Sequence, residues 1–306
     1  MYRIISFDGG GIRGLLSVRL LERLERERPG FLDEAHMYAG TSIGGIIALG
    51  LASGFPVGSV GSLFFEVGRR TFSRQGYAGR LRSSNLTGPK YSAGPLEEEL
   101  TKLFGGKRLA DLPKGVMVTS FNVDNKGDKG RPRSWSPKIF HNLDEDTGDL
   151  SALCSDVALC TSAAPTYFPS HGGFIDGGVA ANNPSMCAYA LARNLMRHKG
   201  LPEEEIALLS IGTGESNRYI DDDTRTWGVF DWSKVIMPLL MDAPAKVTDY
   251  QCRAILADSY FRMNPVLPGK GLIALDDVRS IEILLHAADE YDLSGATRWI
   301  DNCWSA

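Results

Sequence analysis

Residues 36–51 read His-Met-Tyr-Ala-Gly-Thr-Ser-Ile-Gly-Gly-Ile-Ile-Ala-Leu-Gly-Leu, and this stretch restricts the fold more than any other. A short apolar strand, Met37–Ala39, runs into Gly40-Thr41-Ser42-Ile43-Gly44, and an apolar helix pattern follows. This is G-x-S-x-G in the strand–turn–helix setting that gives the motif its meaning. A turn this sharp holds the serine at unfavourable backbone angles, and Gly40 and Gly44 remove side chains that would collide where strand meets helix. The Ser42 oxygen then projects from the carboxyl edge of a sheet, beside a helix N-terminus that stabilises developing negative charge. A glycine-rich helix start with an incidental serine also fits the bare motif. The flanking strand and helix favour a nucleophile.

The rest of the chain agrees with an elbow of this kind. The strand Tyr2–Phe7 ends in Asp8-Gly9-Gly10-Gly11-Ile12-Arg13-Gly14 and leads into a helix that closes at Pro29-Gly30. Helices are expected over Val57–Phe72, Leu96–Phe104, Leu150–Thr161 and Pro184–Met196, and buried strands over Val116–Val123 and Ile206–Ile211. The strand Phe174-Ile175 enters Asp176-Gly177-Gly178, and helices at about 231–257 and 277–303 flank a strand at Ser259–Met263. Strands alternating with helices, with glycine turns after the strands, predict a mostly parallel sheet covered on both faces. No linker or repeat interrupts this pattern, so one domain is expected over residues 1–306. Sites in such sheets form beyond the carboxyl ends of the strands, where the turns at 8–14, 40–45 and 176–178 would meet.

Composition narrows the class. A net charge of −4 gives no reason to expect nucleic acid as partner. The five cysteines lack C-x-x-C spacing, which fits reduced thiols in the cytoplasm and neither a disulfide framework nor a zinc site. The chain opens directly on a strand without a signal peptide, and no apolar run approaches a membrane span, so any membrane contact is expected to be peripheral. Asp124-Asn125-Lys126-Gly127-Asp128-Lys129-Gly130 resembles the start of a calcium loop, but Trp135 stands where the closing glutamate belongs. A glycine-rich hairpin is expected there instead.

Gly9, Gly11 and Gly14 also satisfy G-x-G-x-x-G after a strand, the fingerprint of a dinucleotide-binding oxidoreductase. Asp33 and Glu34 lie at about the distance of a ribose-binding acid, yet both precede the second strand instead of ending it. The same run of amides would serve Ser42 as an oxyanion hole. Ser42 also needs a base. His36, His141, His198 and His286 follow no glycine-rich strand end, and His171 comes close to one; Asp176 stands at such an end, which makes it the best candidate.

Asp8–Gly14, Gly40–Gly44 and Asp176–Gly178 together resemble the patatin-like phospholipases in order and spacing. Thr161–Pro169, Asn182-Asn183-Pro184 and Ser210–Gly214 extend the resemblance over roughly residues 1–215, leaving 216–306 as a C-terminal helical cap. The resemblance implies a three-layer α/β/α sandwich with a mostly parallel central sheet. It implies a serine lipid acyl hydrolase working through a Ser–Asp dyad, with Ser42 as nucleophile and Asp176 as base. The oxyanion hole falls on Gly9, Gly10, Gly11, Ile12, Arg13 and Gly14, with Arg13 at the family's basic position. No metal or cofactor is implied, and the substrate is a lipid met at a membrane surface. An acyltransferase of the same fold is the near alternative. The family also contains bacterial effectors switched on by a nucleotide second messenger, but no stretch here reads as such a sensor.

Two segments bear on how lipid would be reached. Trp227-Gly228-Val229-Phe230-Asp231-Trp232 precedes an apolar helix, and either caps the core or forms an interfacial patch. The Gly-, Ser- and Arg-rich residues 74–95 read as a long loop able to attract anionic lipid.

Overall fold

A computed structural model of the chain describes all residues except 73–87, 128–131, 146–147, 201–204, 217–218, 234, 269–272 and 305–306. Most of the long loop expected at 74–95 therefore lies outside the described residues. In chain order the elements are β1 (Tyr2–Phe7), α1 (Gly14–Glu27), β2 (Met37–Thr41), α2 (Ile43–Ala52), α3 (Val57–Thr71) and α4 (Gly94–Phe104). Next come β3 (Gly115–Asn122), β4 (Ser136–His141), α5 (Cys154–Ser162), β5 (Phe174–Asp176), α6 (Gly178–Ala181), α7 (Ser185–His198) and β6 (Ile206–Ile211). The chain continues through β7 (Glu215–Ser216), α8 (Val229–Ser233), α9 (Ile236–Leu256), β8 (Tyr260–Met263), β9 (Val266–Leu267), α10 (Ile281–Asp289) and α11 (Ser294–Trp299).

The main sheet runs β4-β3-β2-β1-β6-β8. The pairs β1–β2, β1–β6, β2–β3 and β6–β8 are parallel, and β4 and β5 both pair antiparallel with β3. Burial explains the parallel centre. Every residue of β2 and β6 is buried, as parallel strands covered by helices on both faces must be. Successive side chains go to opposite layers. Ile5, Phe7, Leu209 and Ile211 join α1, α2, α5 and α10 on one face; Ile4, Leu208 and Met37 pack with Ala188 and Ala192 of α7 and Cys252 and Leu256 of α9 on the other. This is the three-layer α/β/α sandwich.

One register detail places the site. On β3, Thr119 lies opposite Thr41 at the end of β2, and the next residue, Ser120, lies opposite Asp176 of β5. β5 thus continues the lane of β2 from the other direction, and Asp176 meets the turn that leaves β2.

Two C-terminal expectations need correction. The helix expected over 231–257 is two, α8 and α9. The one expected over 277–303 breaks after Asp289, where the Asp292 carboxylate accepts hydrogen bonds from the Ser294 amide and hydroxyl and starts a new helix. Side-chain capping of this kind competes with continued helix. β3 and β4 pair antiparallel, as the expected hairpin requires, and Arg133 bonds both carboxylate oxygens of Asp124 at 2.9 and 2.6 Å; residues 128–131 of the connection lie outside the described residues.

Candidate active site

The turn after β2 is as tight as the motif requires. Ser42 sits at φ 55°, ψ −124°, a conformation costing an L-residue about 1–3 kcal/mol. A Cβ on Gly40 would strike the Gly44 carbonyl, and one on Gly44 would strike the Phe7 and Asp8 carbonyls. Those two glycines let the strand, the helix and the neighbouring strand end share one small space. The strain is held by hydrogen bonds: the Ser42 amide donates to Thr161 Oγ1 at 2.7 Å, and that hydroxyl donates to the Thr119 carbonyl at 2.6 Å.

Ser42 Oγ donates to Asp176 Oδ2 at 2.6 Å, and the Gly178 amide donates to Asp176 Oδ1 at 2.7 Å. Both residues are buried, Asp176 to 2% exposure. Burial pushes the Asp176 carboxyl up to about 6, against the opposing effect of these two bonds. Such a carboxylate, ionised at neutral pH yet poorly solvated, suits a proton acceptor. Gly177 is needed because a Cβ there would meet Thr119. The five histidines are all described, and none bonds Ser42 or Asp176. His36 accepts from the Arg3 amide, His141 from the Leu143 amide, and His171 lies 3.3 Å from Asp156.

The glycine-rich turn after β1 lies against this pair; a Cβ on Gly9 would stand 3.3 Å from the Ser42 Cβ. Several of its amides are already engaged. Gly9 N donates to the Asn182 carbonyl at 3.0 Å, Ile12 N to the Leu275 carbonyl at 2.8 Å, Arg13 N to Gly10 O at 3.2 Å, and Gly14 N to the carbonyls of Gly11 and Ile12. Among the described residues, none accepts from the amides of Gly10 or Gly11. Asp33 and Glu34 stand ahead of β2, at its far end from Ser42, so neither is at the strand end where a ribose-binding acid belongs.

Several residues that sequence reasoning gave no role hold this turn in place. Thr213 packs against Gly10 and donates to Gly9 O at 3.0 Å. Arg262 of β8 bonds both Asp8 oxygens, at 3.2 and 2.5 Å, and donates to Ser210 at 2.6 Å. Burial alone would weaken the Arg262 charge, but Asp8 more than restores it and keeps the guanidinium protonated. Only a cation among apolar neighbours, Tyr260-Phe261-Arg262-Met263, hinted at this role; Leu275 carried no signal.

Two apolar clefts flank the pair. One is lined by Ile12, Leu15, Ile46, Phe72, Leu96 and Phe168 and reaches Ser42. The other is lined by Pro165, Val179, Pro238, Met241 and Ile273 and reaches Asp176 and Arg13. Tyr167 and Leu275 border both. Beyond them the 227–232 segment is a surface feature: Val229 is 89% and Phe230 75% exposed, with Trp232, Ile236, Leu239 and Leu240 also exposed. Trp227 and Asp231 are partly covered, and Trp227 makes an edge contact with Trp232 at 5.2 Å between centroids. The segment therefore does not cap the core. No described helix is long and apolar enough to cross a membrane.

Sequence comparison gives this geometry a family. The model for the patatin-like phospholipase family matches residues 5–189, which contain the glycine-rich turn, Ser42 and Asp176. CotR of Bacillus subtilis is 30% identical over all of this chain and 99% of its own length. A cGAMP-activated phospholipase of Pseudomonas aeruginosa is 32% identical over 86% of this chain and 78% of its own. Patatin-like protein 2 of Oryza sativa is 28% identical over 81% and 71%. With that match over more than half its length, the chain belongs to the patatin-like phospholipase family of lipid hydrolases.

Proposed function

We propose that the chain cleaves acyl esters of membrane lipids through a Ser42–Asp176 dyad. The observation that carries this is the 2.6 Å hydrogen bond from Ser42 Oγ to a buried carboxylate whose pKa lies near 6. Asp176 Oδ2 takes the hydroxyl proton as Ser42 Oγ bonds to the ester carbonyl carbon. The oxyanion that forms is met by the amides of Gly10 and Gly11 and by the N-terminus of α2. Collapse of this intermediate expels the lipid alkoxide, which takes the proton back from Asp176 and leaves an acyl-Ser42 ester. Water then attacks that ester, gives its proton to Asp176, and releases the fatty acid as Ser42 Oγ recovers its hydrogen. The two apolar clefts give acyl chains a place beside the reacting carbonyl.

The exposed rings and aliphatic side chains of α8 and early α9 adjoin the Asp176-side cleft through Pro238 and Met241. They form the face that meets the lipid surface, with aromatic rings at head-group depth. A peripheral enzyme of this kind works from the cytoplasmic side and needs no metal or cofactor for the steps above. The deciding experiment is mass spectrometry of lipid products from wild type and Ser42→Ala. Free fatty acid and lysolipid should appear with wild type alone. Equal release by both proteins would overturn the mechanism, and acyl groups moved onto an added alcohol in preference to water would mark a transferase.

A further inference from the structure

The two apolar clefts beside the pair are not equivalent. One reaches Ser42 and not Asp176; the other reaches Asp176 and not Ser42. Resting on the dyad mechanism above, we propose that they divide the ester between them. The Ser42 cleft holds the acyl chain being cleaved, and the Asp176 cleft holds an apolar chain carried by the leaving alcohol. The favoured substrate is therefore a two-chain lipid, and the one-chain lysolipid it yields is a poor substrate for a second round.

The chemistry orients the ester. In the acyl-enzyme the acyl carbon is bonded to Ser42 Oγ, so the acyl chain lies on the Ser42 side of the pair. When the tetrahedral intermediate collapses, the bond from that carbon to the alcohol oxygen breaks, and this oxygen takes its proton from Asp176 Oδ2. Proton transfer needs the oxygen within hydrogen-bond reach of the carboxylate, so whatever the alcohol carries lies on the Asp176 side. What meets it there is apolar: Pro165, Val179, Pro238, Met241 and Ile273, with Arg13 and Asp242 as further charged members of the wall. A bare glycerophosphodiester leaves those apolar side chains unfilled, whereas a glycerol that still bears a chain covers them. Pro238 and Met241 belong to α9, whose Ile236, Leu239 and Leu240 are exposed. The retained chain thus stays next to the face assigned to the lipid surface.

The wall between the clefts is tied in place. Tyr167 and Leu275 border both. The Leu275 carbonyl accepts from Ile12 N at 2.8 Å, and Leu275 packs on Gly11 so closely that a Cβ there would strike it. The adjacent Asp276 carboxylate accepts from Lys90 Nζ and, at 2.6 Å, from the Tyr91 hydroxyl. Lys90 Nζ also lies 5.7 Å from the centroid of the Tyr167 ring, and the Tyr91 amide donates to the Tyr167 carbonyl at 2.8 Å. Residues 90 and 91 therefore fasten both halves of the wall. Chains on either side of a held wall do not trade places within one bound lipid, which gives the ester a single productive direction.

The test uses two isomeric esters, ethyl octanoate and octyl acetate, which carry the same chain on opposite sides of the ester bond. Leu96→Trp narrows the Ser42 cleft and should lower kcat/KM for ethyl octanoate about tenfold more than for octyl acetate. Val179→Trp narrows the Asp176 cleft and should do the reverse. The ratio is taken within one protein, so a general loss of activity cancels, and Leu15→Phe with Met241→Phe repeat the two arms with a smaller insertion. A second comparison sets a diacyl phosphatidylcholine against the lysophosphatidylcholine with the same acyl chain, each dilute in neutral detergent micelles. Wild type should favour the diacyl lipid by about tenfold or more, and Val179→Trp should reduce that to about threefold or less while Leu96→Trp leaves it unchanged. Equal effects of each variant on both esters, the opposite pairing of variant and ester, or equal cleavage of diacyl lipid and lysolipid by wild type would overturn the assignment and leave the Ser42–Asp176 mechanism standing. Hydrolysis that persists undiminished in Ser42→Ala would remove both.

Discussion

Replacing Asp176 by Asn should abolish catalysis and stabilise the fold, with a pH dependence that identifies the cause. Folding raises this carboxyl from an ordinary 3.8 to about 6, chiefly through burial. A rise of roughly two pH units corresponds to about 3 kcal/mol. The native state therefore holds the Asp176 proton more tightly than the unfolded chain does. Wild type loses stability as pH climbs from about 4 to about 6, and above 6 the loss is complete. An amide is neutral at every pH and escapes that loss. It cannot, however, accept from both Ser42 Oγ and Gly178 N as the two carboxylate oxygens do, and giving up one such bond costs about 1 kcal/mol. At pH 8 the variant should thus be about 2 kcal/mol more stable than wild type, an advantage that shrinks below pH 6 and disappears or reverses near pH 4. Urea midpoints at each pH measure the difference, and hydrolysis should fall by about 10²–10⁴-fold in the same preparations. A stability difference equal at pH 4 and pH 8, or a variant less stable at pH 8, would refute the account of Asp176 as a desolvated, ionised base.

Gly40→Ala should cost about 3 kcal/mol or more, because its Cβ meets backbone that no rotamer change can move; Gly58→Ala, with only Glu22 Oε1 near at 3.8 Å in an exposed helix, should gain about 0.5–1 kcal/mol in the same urea titration. Arg262→Gln should destabilise by about 3–5 kcal/mol at neutral pH by stranding the buried Asp8 carboxylate, with the cost shrinking as pH falls and Asp8 takes a proton. Phe230→Ser with Trp232→Ser should weaken hydrolysis of vesicles roughly tenfold more than hydrolysis of a soluble short-chain ester; equal losses on both, with a lowered melting temperature, would mean the rings support the fold instead of meeting lipid.

The parts of the site legible in the sequence were those that need a special backbone. Gly40, Ser42 and Gly44 follow from the collision between strand and helix, and Asp176 from an acid at a strand tip ahead of two glycines. Those constraints are local, so they leave local marks. Thr161 and Thr213 showed only as members of stretches that extend the resemblance, Arg262 only as a cation among apolar neighbours and Leu275 not at all, because each acts by where the fold delivers it. The sandwich was legible for a similar reason: buried parallel strands such as Ile206–Ile211 read as unbroken apolar runs. The aromatic segment at 227–232 was ambiguous because rings that meet lipid and rings that meet core share one composition; exposure of Val229 and Phe230 separates them. The C-terminal third, which had added little to the motif pattern, supplies β8, the clamp on the glycine turn and much of the wall around Asp176.

The clamp on the glycine turn also bears on when the protein acquires activity. Residues 8–14 leave the ribosome early, yet their conformation is fixed by Thr213, Arg262 and Leu275, more than two hundred positions later. Closing loops of that length is a late and entropically costly event in folding. Ser42 and Asp176 can meet once residue 176 has emerged, but the Gly10 and Gly11 amides proposed to hold the oxyanion are set only when the C-terminal strand docks. On the mechanism proposed above, a chain cut before β8 should release no fatty acid from lipid even with Ser42 and Asp176 in place, and activity should begin only with completion of the fold.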